Sequence, residues 1–121
     1  MILARSFAIC LGLAAASPAA AQSYTRVTDE AEFLLLIGNQ RLTHLFYDID
    51  LAVTPDGRID GDALGWPVTG TWSWQDGYFC REMDWGGDPI GYNCQLVEKN
   101  GDLLRFTVDQ GAGRSAALRL R

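Results

Sequence analysis

The chain has 121 residues, 48% of them hydrophobic, with 15 acidic against 10 basic side chains and a net charge of −5. So acidic a chain repels nucleic acid and anionic lipid surfaces, and a single lysine, Lys99, leaves no polybasic patch. The length suits one domain with one core and is too short for two.

The N-terminus, MILARSFAICLGLAAASPAAA, reads as a secretory leader. Arg5 supplies the positive end, Phe7 to Ala16 form an apolar run too short to span a bilayer, and Ala19-Ala20-Ala21 is a small-x-small cleavage site. Cleavage after Ala21 is expected, giving a signal peptide at 1–21 and a single domain at 22–121. That product is periplasmic or secreted, with no membrane anchor. Arg5 leaves with the leader, so the 10 basic residues become 9 and the net charge becomes −6. Cys10 leaves too. Cys80 and Cys94 remain as an even pair in an oxidising compartment, and a disulfide is expected between them. A zinc site is a poor alternative, because the chain has a single histidine, His44.

Residues 28–38, TDEAEFLLLIG, read as the one helix. Asp29 or Thr28 can cap it, with Glu32 at the third position after Asp29 as a variant capping box. Phe33, Leu34 and Ile37 share an apolar face, and Gly38 is a natural stop. After Gly38 the period changes to two. In 45–54, Leu45, Tyr47, Ile49, Leu51 and Val53 share one face and Phe46, Asp48, Asp50, Ala52 and Thr54 the other, which reads as a half-buried strand. Pro55-Asp56-Gly57 is a turn, and a short strand at Arg58–Ile59 follows. In 68–75, Val68, Gly70, Trp72 and Trp74 share one face, and Asp76-Gly77 turns the chain into YFCREMDW, the strongest hairpin signal present. Gly86-Gly87 ends that strand. The next segment, 90–99, places Ile90, Tyr92, Cys94 and Leu96 on one face, and Asn100-Gly101 is read as a second two-residue turn. Leu104, Phe106 and Val108 point inward from 102–109. After the glycine turn at 111–113, Ala116, Leu118 and Leu120 do the same. The expected fold is mainly β: a small antiparallel barrel or strongly curved sheet of about six to seven strands with one N-terminal helix. The large Trp72, Trp74, Phe79 and Phe106 argue for a filled interior.

Trp66 and Trp85 fall at strand ends. Together with Tyr92, Glu82, Asp84 and Asp88 they make a candidate binding patch. Glu82 and Asp84 share the face of Tyr78 and Cys80, and solvated strand carboxylates are a better reading of them than a glycosidase pair. The stretch 56–62, DGRIDGD, fails as a calcium loop: Arg58 stands at the third position and Pro67 at the twelfth. GAGRSA at 111–116 matches a dinucleotide fingerprint in letters but leaves no room for the helix that the motif opens. No catalytic set, metal set or cofactor motif is read, and His44 is taken as an ordinary surface residue.

The stretches FLLLIGNQRL (33–42), PDGRIDGD (55–62) and VTGTWSWQDGYFCREMDWGGDPIGYNCQLVEKNGDLLRFT (68–107) resemble a family of short secreted proteins from marine alphaproteobacteria. Its members are often labelled "dihydrodipicolinate reductase". The residues do not support that label, since such a reductase needs an N-terminal Rossmann unit and a second substrate domain. The resemblance implies no activity and transfers no catalytic residues. The expected function is a monomeric, non-catalytic periplasmic module that binds a protein or small ligand. The alternatives are a small reductase or carboxylate hydrolase, and a lipocalin-like carrier.

Overall fold

The computed structural model describes Gly12 and residues 23–121. The expected leader therefore lies, all but Gly12, outside the described residues. The chain runs β1 (Thr25–Arg26), α1 (Glu30–Ile37), β2 (Leu42–Thr43), β3 (Ile49–Val53), β4 (Arg58–Ala63), β5 (Trp66–Gln75), β6 (Tyr78–Trp85), β7 (Asp88–Asn100), β8 (Leu103–Thr107) and β9 (Ser115–Leu120), with one 3₁₀ turn at Asp109–Gly111. Strands β2 to β9 each pair with the next, all antiparallel. β9 then pairs with β2, which closes an eight-stranded up-and-down barrel. β1 adds to β7 beyond the end of β6, with Thr25 opposite Lys99.

The strand count is thus higher than the sequence pattern indicates, and the reasons are local. The closing strand β2 is two residues long and lies in RLTH, too short for any alternation to show. β4 runs to Ala63 because its inward positions are Ile59, Gly61 and Ala63, so its alternation is one of size rather than polarity. A side chain at Gly61 would collide with the Asp50 backbone, and one at Gly70 with that of Glu82. Glycine here lets neighbouring strands approach where the sheet bends most sharply. Asp60 and Asp62, read as part of an acidic turn, lie on the exposed face of β4. Thr69, Thr71, Ser73 and Glu82 are exposed on β5 and β6 beside them. That outer wall suits water rather than lipid.

Helix α1 begins where the sequence indicates. The Asp29 side chain accepts the Glu32 N–H at 2.8 Å, and Gly38 at φ 28° ends the helix. Glu32 does not reach back to complete a capping box. Its carboxylate pairs with Lys99 Nζ at 2.9 Å and ties the helix to β7. Phe33 and Ile37 are fully buried. The ring of Phe33 lies 5.1–5.2 Å from the centroids of Trp72, Trp74 and Phe79. The helix therefore plugs the barrel at the end formed by the β3–β4, β5–β6 and β7–β8 turns.

The Asp76-Gly77 hairpin is as read, with φ of 52° and 85° in the primed-turn geometry. The β7–β8 turn is shifted by one residue. Asn100 pairs with Leu103, so Gly101 and Asp102 make the bend. Residues 108–114 form a loop around the 3₁₀ turn, so the glycines of GAGR link β8 to β9.

β7 departs from simple alternation. Arg81 pairs with Asn93 but Met83 pairs with Ile90, so β7 carries one extra residue, a β-bulge. The bulge puts Ile90 on the opposite face from Tyr92 and Cys94. Gln95 and Val97 become the buried, inward residues of the strand, and Tyr92 is exposed on the outside.

Candidate ligand cavity and its arginine

The barrel is plugged at one end and hollow towards the other. A cavity of about 310 Å³ fills its middle and far half. Leu51 and Val53 of β3, Ile59 of β4, and Ala116 and Leu118 of β9 form apolar walls, and Phe79 and Phe106 form the floor against the plug. The aromatic filling expected throughout the interior is therefore real only on the helix side. Trp72 and Trp74 pack on Phe33 and take no part in the cavity lining. Arg114 and Ala116, both exposed, border the cavity where the β8–β9 loop meets β9 and connect it to solvent. The β2–β3 and β4–β5 loops lie at this same end and carry exposed Leu45, Phe46, Tyr47 and Leu64.

The polar groups in this lining are few and specific. Arg81 points inward between Phe79 and Met83 and keeps only 7% of its surface exposed. Its Nη1 donates to the Gly91 carbonyl at 2.7 Å. That carbonyl lies in the bulge of β7, so the extra residue turns a backbone oxygen towards the lumen. Desolvation by burial pulls the guanidinium below its ordinary pKa, although arginine remains protonated at any physiological pH. Among the described residues Arg81 makes no ion pair. Gln95, opposite Phe79 in register and equally buried, lines the same space. Arg114 stands at the rim, likewise without an ion pair among the described residues. The lining side chains include no carboxylate. A buried cation without a counter-charge costs several kcal/mol of desolvation, and a protein with net charge −5 has acidic residues to spare for pairing it.

The sequence-derived patch is divided by the fold. Trp66, Trp85 and Asp88 meet around Gly86 in a groove of about 220 Å³ at the β6–β7 hairpin. Trp66 lies over Gly86 and is 58% exposed, while Trp85 is half-buried with its indole N–H donating to the Ala63 carbonyl at 2.8 Å. Asp84 serves that hairpin by accepting the Gly87 N–H at 2.8 Å. Glu82 and Tyr92 stand apart, on the outer face of β6 and β7. Tyr92 places its hydroxyl 3.4 Å from Cys94 Sγ.

Cys80 and Cys94 are direct cross-strand partners and form a disulfide with S–S 2.13 Å. It sits on the outer face, one residue from Arg81, and clamps β6 to β7 beside the bulge. His44 shapes the β2–β3 loop, its Nδ1 accepting the N–H groups of Phe46 and Tyr47 at 3.1 and 3.2 Å.

Arg81 was within reach of the sequence. The alternation that groups Glu82 and Asp84 with Tyr78 and Cys80 also places Arg81 on the face of Phe79 and Met83, where a charge is unexpected. No family model, curated protein or solved structure gives a match to this chain.

Proposed function

We propose that the protein is an extracytoplasmic, non-catalytic binding module whose barrel takes up a small, mostly apolar molecule. The carrying observation is the cavity of about 310 Å³, walled by inward aliphatic residues and bordered by exposed ones. Its size falls at the lower end of small-molecule sites, and its chemistry, apolar walls with a few placed polar groups, is the usual one for such sites. The leader-like N-terminus and the Cys80–Cys94 disulfide support an extracytoplasmic home. A lipocalin-like carrier, set behind a filled barrel on residue size alone, becomes the better reading once the large aromatics are seen to crowd the helix side.

The test is a titration with octan-1-ol and with octanoate, followed by methyl chemical shifts. Saturable shifts at Leu51, Ile59 and Leu118 with either compound support the reading. Shifts confined to the Trp66 indole, or none, overturn it. A second reading, contact with a protein partner through the hairpin groove, is favoured by the exposure of Trp66 over Gly86. It predicts that Trp66→Ser abolishes co-purification of that partner while leaving the methyl shifts intact.

A further inference from the structure

We infer that the cavity is built for an anionic amphiphile, a short-chain carboxylic acid whose head group pairs with Arg81 and whose tail fills the apolar end. The inference rests on the small-ligand reading above and adds the charge and size of the occupant.

Four observations converge on it. Arg81 is more than nine-tenths buried and lines the cavity. Among the described residues its side chain makes one hydrogen bond, to the neutral Gly91 carbonyl, so the guanidinium has N–H groups left and no counter-charge there. Gln95 adds an amide to the same lining, and Arg114 adds a second positive charge at the rim. The lining contains no acid, in a chain whose acidic residues outnumber its basic ones by 15 to 10. Buried charges in proteins are paired or hydrogen-bonded, and a guanidinium is matched in geometry by a carboxylate, which it can grip with two parallel N–H bonds. The missing partner of Arg81 is then supplied by the ligand.

The volume sets the size. At about 30 Å³ per heavy atom, the share of a water molecule in the liquid, the cavity holds about ten heavy atoms. Octanoate has that many. The carboxylate would sit beside Arg81 with the chain against the aliphatic walls. A long-chain fatty acid would have to leave much of its tail in the mouth, beside Arg114 and the exposed β2–β3 loop.

The experiment compares three eight-carbon probes on the oxidised protein by calorimetry: octanoate, octan-1-ol and octylamine. Charge-assisted hydrogen bonds favour octanoate over octan-1-ol by about tenfold to a hundredfold, with octylamine the weakest. Arg81→Met should erase the preference for octanoate while octan-1-ol binds as well as before. Equal affinities for octanoate and octan-1-ol in the unaltered protein would overturn this inference and leave the cavity reading standing. Binding of none of the three would overturn both. A preference kept in Arg81→Met and lost in Arg114→Met would overturn the assignment to Arg81. The probe comparison on the unaltered protein decides the matter even where a variant fails to fold.

Discussion

The two ends of the barrel use the same strands for opposite purposes. At the plugged end, α1 inserts Phe33 among Trp72, Trp74 and Phe79, and Val27, Ile37, Val97 and Leu104 are all within 1% of complete burial. Nearly every apolar atom there has a protein neighbour, so the core stands on the hydrophobic effect and dense packing. At the other end the strands bring aliphatic side chains inward but do not fill the space between them, and a buried arginine is left without a counter-charge. A small domain keeps such an empty and electrostatically costly region only when the rest of its core is strong enough to carry it. The contrast separates what holds the barrel together from what the barrel holds.

The largest effect should come from the plug. Phe33→Ala removes a fully buried ring with three aromatic neighbours and is expected to cost about 3–5 kcal/mol in denaturant unfolding. Octanoate affinity of the fraction still folded should be little changed, because Phe33 is not in the cavity lining. Equal losses of stability and of binding would mean that the two ends are one unit. Next comes the clamp between them. Reducing Cys80–Cys94, which closes a sequence separation of 14, should cost about 3 kcal/mol in the chain-entropy view. Because the clamp lies one residue from Arg81 and beside the bulge, reduction should also weaken octanoate binding, and paired melting and binding curves with and without reductant would show it.

How far the sequence went follows the same division. The plugged end was legible. The cap at Asp29, the stop at Gly38, the turn at Asp76-Gly77 and the inward set of Trp72 and Trp74 are local signals, each with its own physical cause, and each is where the pattern puts it. The hollow end was not. Alternation tells which side chains face inward but not whether they meet across eight strands, so Trp and Phe among the inward residues suggested a full interior. The bulge in β7 was also invisible, because Ile90-Gly91-Tyr92 obeys alternation until Met83 and Arg81 fix its register across the sheet. A two-residue closing strand at Leu42–Thr43 owes its existence to the partners β3 and β9 and not to its own residues. The candidate patch fared between these. The hairpin at Gly86-Gly87 does bring Trp66, Trp85 and Asp88 together, while pleating sends Glu82 and Tyr92 to the outer wall.

Adding volume distinguishes the ends more finely than removing it. Ile37→Phe in the plug must displace packed neighbours and should cost about 1–3 kcal/mol. Leu51→Phe adds similar bulk beside the cavity, where space exists, and should change stability by less than about 1 kcal/mol while blocking octanoate uptake. Unfolding midpoints for the pair, with calorimetry on Leu51→Phe, would check both. A Leu51→Phe protein as damaged as Ile37→Phe would mean that the hollow end closes in solution.

The smallest expected effect lies at the β3–β4 turn on the plugged side. The Thr54 hydroxyl hydrogen-bonds the Asp56 carboxylate, and that bond, helped by the nearby Arg58 charge, holds the Asp56 pKa below its ordinary value. A carboxylate depressed on folding adds stability that is fully present above its unfolded pKa and is lost as pH falls through the lower, folded value. Asp56 is solvent-exposed, so water and salt screen the effect. Asp56→Asn should therefore lower stability slightly at neutral pH and leave it unchanged at the acid extreme, where the unaltered protein has lost the same contribution, so the small share of the acid decline that comes from Asp56 should vanish in the variant. Octanoate binding measured over the same acid range would respond differently. It would fall as the free acid is protonated and loses its charge towards Arg81, and it would do so identically in Asp56→Asn. A parallel fall of stability and binding in the unaltered protein, abolished together by Asp56→Asn, would tie the turn to the cavity and end the separation of the two ends.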